Sequence, residues 1–167
     1  MNLRFFTLYL SLFLTNYVSA LALDQQEALL IEANHGVVDE KSSSTIYSGN
    51  VSLIQGSLQI LADEVQVKTN KNGDVVEVIA TSNQASNKPA SIKKQSENKG
   101  ELQATAWQIQ YRVEKQQVQL SGNAHVQQNN HEFSGELVYY DIEKGIVNIN
   151  RGQNSTGRVK IKYDTAK

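Results

Sequence analysis

Apolar and polar residues alternate with a period of two along most of the chain beyond its first 20 residues. Val118 and Leu120 flank Gln119, and residues 159–163 read Val-Lys-Ile-Lys-Tyr. This period is that of a β-strand with one buried and one solvated face, as in antiparallel sheets. Helical periodicity is weak throughout this part of the chain. The pattern therefore predicts an all-β protein.

Turn signals separate the alternating runs at roughly 8–10 residue intervals. Examples are Ser48-Gly49-Asn50, Asn72-Gly73, Ser121-Gly122-Asn123 and Lys144-Gly145. This spacing predicts roughly 14–16 short strands in a sandwich, barrel or roll. The residues expected on the dry face are mainly Val, Ala and Ile, which could line a lumen without filling it.

The chain also repeats itself at long range. Tyr47-Ser48-Gly49-Asn50-Val51 recurs as Leu120-Ser121-Gly122-Asn123-Ala124 at an offset of 73, and Ile31-Glu32-Ala33 is echoed by Leu102-Gln103-Ala104 at an offset of 71. Two halves of strands, joined by a polar junction over residues 82–100, account for this pattern. Stacked repeats need covered ends, and the last predicted strand ends four residues before the C-terminus. The terminal edge is therefore expected to accept another strand.

The first 20 residues differ from the rest in composition. Arg4 is followed by an apolar run from Phe5 to Leu14 and by small residues up to Ala20. This order is that of a secretory signal peptide, with cleavage expected after Ala20 or Ala22. We expect residues 21–167 to form a single exported domain. An uncleaved segment would instead tether the domain to a membrane.

Composition and charge exclude several classes of function. Sixteen basic and 17 acidic residues give a net charge of −1, with none of the clustered positive charge of a nucleic-acid binder. Cys is absent, which excludes disulfides and thiolate metal sites. His35, His125 and His131 lack metal-ligand spacing, and Asp141 and Glu143 beside a turn are expected to be solvated charges. The sequence thus predicts no enzyme, no catalytic residue, no metal and no cofactor.

Three segments together resemble a known family. They read LLIEANHGVVDE (29–40), TIYSGNVSLIQGSLQILADEVQV (45–67) and LSGNAHVQQNNHEFSGELVYYDIEKG (120–145). They are similar to the periplasmic lipopolysaccharide-transport protein A family, also called OstA-like, over nearly the whole mature chain. The segment Asn87-Lys88-Pro89-Ala90 resembles a mid-domain element of that family but lacks its preceding Gly.

The resemblance implies a twisted antiparallel β-jellyroll with an open apolar groove for the lipid A acyl chains of lipopolysaccharide. It also implies transport towards the outer membrane by head-to-tail self-association, with an inner-membrane anchored partner at one edge and an outer-membrane assembly protein at the other. Two alternatives remain open: a membrane-tethered partner in the same pathway, and a structural β fibre subunit without a ligand.

Strand alternation then assigns the groove to the apolar residues on one parity of each strand, because a slip of one residue would expose all of them. The predicted lining is Leu29, Ile31, Tyr47, Val51, Leu53, Leu58, Ile60, Val65, Val67, Ile109, Tyr111, Val118, Leu120, Ala124, Val126, Phe133, Val138 and Tyr140. The predicted edges for partners and for self-association are Leu29, Leu30, Ile31, Glu32 and Ala33 at one end and Val159, Lys160, Ile161, Lys162 and Tyr163 at the other.

Overall fold

Antiparallel β-strands form nearly all of the regular structure, as the alternation predicts. The computed structural model describes residues 27–96, 100–152 and 158–163; the predicted signal segment and both cleavage sites lie outside these ranges. The helical element within the described ranges is a 3-10 turn, Gln84–Ser86. The strands are β1 (Leu30–Glu32), β2 (His35–Asp39), β3 (Ser44–Gln55), β4 (Leu58–Thr69), β5 (Val75–Thr81), β6 (Ala90–Ser96), β7 (Gly100–Ala106), β8 (Gln108–Arg112), β9 (Gln117–Gln128), β10 (His131–Asp141), β11 (Ile146–Asn150) and β12 (Lys160–Tyr163).

The described residues contain 12 strands, fewer than the roughly 14–16 expected from turn spacing. Two of the predicted turns lie inside long strands. Gly49 and Asn50 have φ values of 83° and 49° and form a bulge within β3, where its register against β4 shifts. Gly122 and Asn123 form the equivalent bulge in β9, with φ values of 82° and 50°. The prediction of only short strands is therefore wrong for these two segments.

The strands pair into two layers, here called the front sheet and the back sheet. The front sheet has the order β1-β3-β4-β6-β7-β9-β10-β12, and the back sheet has the order β2-β3-β4-β5-β8-β9-β10-β11. The long strands β3, β4, β9 and β10 belong to both, because each pairs with different neighbours on the two sides of its bend. One cluster of buried apolar side chains fills the space between the layers.

A row of hydrogen bonds joins the points at which the chain crosses between the sheets. Asn34 N donates to Gly49 O at 3.0 Å, and Trp107 N donates to Gly122 O at the same distance. Ser82 N donates to Trp107 O at 3.0 Å. We call this side the spine. The hairpin turns lie at the opposite strand ends, on the side that we call the mouth.

The bend changes which side chains face the core. In β4 the buried positions are Leu58 and Ile60 before the bend but Val65 and Val67 after it, so their parity switches from even to odd. β10 also switches near Glu136, from the odd, partly buried Phe133 to the even, buried Val138 and Tyr140. The expectation of one parity along each strand is therefore wrong for β4 and β10. The switch is needed because each strand turns a corner between two sheets that share one core.

The internal repeat is a repeat of strand pairing. Ile31 pairs with Leu53 as Ala104 pairs with Val126, a shift of 73 residues. The offset of 71 predicted for the upstream echo is therefore wrong, because Ile31 corresponds to Ala104. β1–β4 thus correspond to β7–β10, and β5 and β6 correspond to β11 and β12.

The predicted polar junction at residues 82–100 contains a core strand. β6 pairs with β4 on one side and with β7 on the other, so it joins the two repeats into one front sheet. Ala90 and Ile92 of this strand are fully buried, although Ser91 and Lys93 alternate with them. The junction is therefore polar on its outer face only.

Candidate functional site

The apolar interior between the two sheets contains every residue that the sequence predicts for the groove. Fourteen of the 18 are buried, and the remaining four, Leu29, Ile31, Tyr47 and Phe133, are partly buried and pack against that core. The strand register brings residues from both repeats together in this one interior. Burial places these side chains; their role in binding a ligand remains a prediction.

Eight further buried apolar residues were missed. Four are alanines, and five lie in β6 and β7, within or beside the segment predicted to be polar. The full set is Val78, Ala80, Ala90, Ile92, Leu102, Ala104, Ala106 and Ile142. Alanine is only weakly hydrophobic, so it stands out little in a hydrophobic pattern. Only the alternation of apolar and polar residues could have identified these strands from the sequence. The missed residues make the interior continuous from one repeat to the other.

Apolar interior surface is accessible at the two ends of the molecule. The middle is filled, since the buried apolar residues are only 0–5% exposed. At the N-terminal end, Val38 corresponds to the buried Tyr111 of the second repeat but is 70% exposed. At the C-terminal end, Val147 and Ile149 are partly buried and Ile161 is exposed. The core therefore continues to both end faces.

A cavity of about 560 Å³ lies in the front sheet near the C-terminal end. Three consecutive residues from each of five neighbouring strands line it: 91–93, 103–105, 125–127, 132–134 and 160–162. Five adjacent strands can line one cavity only where the sheet is strongly curled. Lys162 Nζ lies 3.0 Å from Glu132 Oε1 at its rim.

Each end of the molecule presents strands that are paired on one side only among the described residues. β1 and β2 both pair with β3, and β11 and β12 both pair with β10. The predicted edges at residues 29–33 and 159–163 include β1 and β12. The edges of β2 and β11 were missed, although Ile146, Val147 and Ile149 gave a short apolar signal. Unpaired backbone donors and acceptors at a strand edge can pair with another strand.

One hydrogen bond in the interior connects the back sheet to the front sheet. Tyr140 of β10 is 2% exposed, and its hydroxyl donates to Gln128 Oε1 at a distance of 2.6 Å. Burial raises the pKa of Tyr140 above its ordinary value of 10.0, so the hydroxyl stays protonated and remains a donor. The buried Nε2 of Gln128 has no hydrogen-bond partner among the described residues.

The outer face of the back sheet carries a charged cluster around Glu77. Lys68 Nζ lies 2.8 Å from Glu77 Oε2, Arg112 Nε lies 4.0 Å from Oε1, and Gln110 Nε2 also donates to Oε1. The hydrogen bond from Lys68 holds the pKa of Glu77 below its ordinary value of 4.5. This cluster joins β4, β5 and β8 across the two repeats.

The candidate catalytic and metal-binding residues do not come together. His35 and His125 are exposed, and the His131 ring packs edge-on against Tyr163 at 5.2 Å. Asp141 accepts hydrogen bonds from Lys144 N at 2.9 Å and from Gln117 Nε2, and the first of these does most to lower the pKa of its carboxyl. Within residues 27–96, 100–152 and 158–163, no cluster of metal-ligating side chains occurs and no helix is long and apolar enough to cross a membrane.

Known proteins share this sequence pattern and this fold. The protein is 33% identical over 137 residues to lipopolysaccharide export system protein LptH of Pseudomonas aeruginosa. This alignment covers 81% of this chain and 75% of LptH. The protein is 28% identical over 121 residues to LptA of Escherichia coli K12, covering 72% of this chain and 63% of that protein. The chain thus spans less than two thirds of the length of the second relative.

A solved structure has the same architecture. The crystal structure of LptH, described as the LptA homologous periplasmic component of the lipopolysaccharide transport device of P. aeruginosa, matches with a TM-score of 0.74 and 28% identity. The match covers 85% of this chain and 99% of LptH. Residues 30–146 also match the family model "LptA/(LptD N-terminal domain) LPS transport protein". This match spans both repeats and most of the chain, so the protein belongs to the LptA/LptD N-terminal domain family of lipopolysaccharide transport proteins.

Proposed function

We propose that this protein carries lipopolysaccharide across the periplasm by holding its acyl chains between the front and back sheets. The observation that carries the proposal is the single apolar interior that runs through both repeats and reaches both end faces. Membership of a lipopolysaccharide transport family supports the identity of the ligand.

The hydrophobic effect explains why such an interior is needed. Burying one methylene stabilises it by about 0.8 kcal/mol, so exposing an acyl chain of roughly a dozen carbons costs on the order of 10 kcal/mol. An interior reached from the ends or the mouth removes this cost without any chemical step. The middle of the interior is filled with side chains, so acyl chains enter by separating the sheets at the mouth while the spine stays bonded.

The internal repeat supplies a template for head-to-tail stacking. Inside the molecule, β6 pairs with β7, and Ile92 lies opposite Ala104. β12 corresponds to β6, and β1 corresponds to β7. Applied between two molecules, the same register places Ile161 of one copy opposite Ile31 of the next, with Lys160 opposite Glu32. The register therefore pairs opposite charges on the outer face.

The back sheet provides a second pairing of the same kind. Inside the molecule, β5 pairs with β8, and Val78 lies opposite Tyr111. The corresponding strands at the ends are β11 and β2. Their pairing between two copies would place Val147 opposite Val38 and cover apolar side chains that are accessible in the single molecule. Both sheets would then continue from copy to copy around one continuous interior.

Export and the transport partners complete the proposal. Residues 1–20 act as a signal peptide removed after Ala20 or Ala22, and residues 21–167 form the periplasmic domain. One end face of a stack meets an inner-membrane anchored partner, and the other meets an outer-membrane assembly protein. N-terminal sequencing of the periplasmic protein is expected to begin at Leu21 or Leu23. A chain that retains Met1 in the membrane would favour the tethered-partner alternative.

The filled core favours one rival function. Apolar residues that are 0–5% exposed stabilise a fold without any ligand, as a structural fibre subunit would require. Mass spectrometry of the mature protein purified from a Gram-negative envelope distinguishes the two functions. Lipid transport predicts co-purifying lipopolysaccharide, and mild detergent is expected to release it. Stacked protein that never carries acylated lipid would support the fibre and contradict lipid transport.

A further inference from the structure

Among the described residues, one buried side-chain donor in the interior has no hydrogen-bond acceptor. Gln128 ends β9 at the mouth, on the same side of the strand as Ala124 and Val126, which are buried. Its Oε1 accepts the Tyr140 hydroxyl across the gap between the sheets at 2.6 Å. Its Nε2 is buried and has no acceptor among the described residues. A buried donor without an acceptor is unfavourable, so conformations that bring an acceptor to it are favoured.

The first repeat shows what satisfies the equivalent amide. Gln55 corresponds to Gln128 at the offset of 73, and its Nε2 donates to the backbone carbonyl of Glu27 at 3.1 Å. Val67 corresponds to Tyr140, so the first repeat has no hydroxyl at that position. The two repeats thus differ around this amide: the second has a tyrosine that fixes the amide oxygen and leaves the amide N–H groups for another acceptor.

We propose that Gln128 determines specificity within the lipid site, with its Nε2 donating a hydrogen bond to the ester or amide carbonyl of an acyl chain bound in the second repeat. Tyr140 is a positioning residue that holds the amide by its oxygen. The inference rests on the proposed function and narrows its ligand to acyl chains with a carbonyl at their attachment point. Such a carbonyl lies at the boundary between headgroup and hydrocarbon, as Gln128 lies between the mouth and the apolar core.

Lipid A labelled with ¹³C at its acyl carbonyls tests the proposal. Binding to the full mature protein is measured together with the infrared stretch of the labelled carbonyl. We expect a carbonyl band shifted to lower frequency in the wild-type complex and absent from the Gln128→Leu complex. The variant is expected to bind lipid A about threefold to tenfold more weakly, the effect of one neutral hydrogen bond.

Three further variants separate ligand contact from folding. Gln55→Leu is the matched control, because its donor is committed to a backbone carbonyl, and it is expected to keep the shifted band. Tyr140→Phe frees the amide oxygen but keeps the donor, so the band is expected to remain with a broader profile. The double variant Tyr140→Phe with Gln128→Leu replaces both polar groups by apolar ones, so it is expected to fold and to lack the band.

The outcomes distinguish this inference from the proposed function. Lipid A that fails to bind the wild-type protein would contradict lipid transport itself. Lipid A that binds wild-type and Gln128→Leu with equal affinity and identical carbonyl bands would overturn the role of Gln128 and leave lipid transport standing.

Discussion

Ile92 and Ile161 hold equivalent positions in the two repeats, yet Ile92 is fully buried and Ile161 is 49% exposed. Ile92 pairs with Ile60 on one side and with Ala104 on the other. Within the part of the chain that the structure describes, Ile161 pairs with Phe133 on one side only. The strand that covers Ile92 is β7, and β1 is the equivalent strand of the first repeat. In a stack, β1 of a second copy would therefore cover Ile161 as β7 covers Ile92.

Proline in the last strand tests this relationship. Ile161→Pro removes a backbone N–H and is poorly tolerated in a paired strand, so we expect it to weaken self-association. The far-UV β signal should stay nearly intact, because β12 pairs with one strand, β10, among the described residues. Light scattering at high protein concentration measures the effect.

A central strand serves as the comparison. Val118→Pro lies in β9, which pairs with both β8 and β10 there, and we expect it to unfold the domain. If Ile161→Pro left the light-scattering mass unchanged, stacking through β12 would be wrong, and the interface would lie elsewhere.

The proposed register makes a prediction about charge. Glu32→Lys alone or Lys160→Glu alone places like charges opposite each other between copies, and the combination of both changes restores an opposite pair. Cross-strand pairs contribute roughly 0.2–1 kcal/mol, so each single change should weaken association by about twofold to fivefold. Sedimentation velocity measures the loss and its recovery.

Lys162 provides the control for this register. Its Nζ lies 3.0 Å from Glu132 within the same molecule, and the proposed register places it opposite Leu30 of the next copy. Glu32→Lys should therefore fail to rescue Lys162→Glu. Rescue of Lys162→Glu, in place of Lys160→Glu, would mean that the two copies pair with a different register.

The long strands were predictable because they alternate strongly on both sides of their bends. The bulges were not predictable, because a Gly-Asn pair has the same local signature in a bulge as in a turn. For Gly49-Asn50, only the pairing of β3 with β4 on both sides shows that the pair forms a bulge. β6 was not predicted because Ala90 and Ile92 alternate with Ser91 and Lys93 in a segment of high polarity. The contact between Tyr140 and Gln128 depends on the packing of two sheets, which no local pattern encodes.

Glycine at the β9 bulge should be hard to replace. Gly122 has a φ of +82°, and a Cβ there would lie 2.9 Å from Trp107 Cδ1. Left-handed backbone costs a residue with a Cβ about 1–2 kcal/mol, and the contact with Trp107 adds to that cost. We expect Gly122→Ala to lower the free energy of unfolding by about 2–4 kcal/mol in urea denaturation.

Gly73 separates backbone strain from the steric contact. Its φ is +90°, and nothing lies within 4 Å of an added Cβ. Gly73→Ala should therefore cost only about 1–2 kcal/mol. Equal losses for the two variants would show that Trp107 moves aside freely and that the spine does not constrain the bulge.

Acid should weaken the fold partly through Glu77. Its folded-state pKa is below the ordinary value of 4.5, chiefly because of the hydrogen bond from Lys68, so its contribution is present above pH 4.5 and is lost as pH falls through the lowered pKa. We expect Glu77→Gln to be less stable than wild type at pH 7 by about 0.5 kcal/mol, in the range of an exposed ion pair.

The role of the Glu77 carboxylate is tested by comparing the stabilities of wild type and Glu77→Gln at different pH values. The difference between wild type and Glu77→Gln should shrink as the pH falls below 4.5 in parallel urea melts. Glu40→Gln, in the exposed turn between β2 and β3, is the matched control. A wild-type advantage that persisted undiminished at the acid end would contradict the assigned role of the carboxylate.

Photo-crosslinking within the cell envelope tests lipid transport through the interior most directly. Ile31 faces the interior at the N-terminal end, and Ser52 lies on the opposite face of the adjacent strand β3; both are partly buried. A photoreactive residue at position 31 is expected to capture lipopolysaccharide, whereas the same residue at position 52 is not. Equal labelling at both positions, or labelling at position 52 alone, would contradict transport between the sheets.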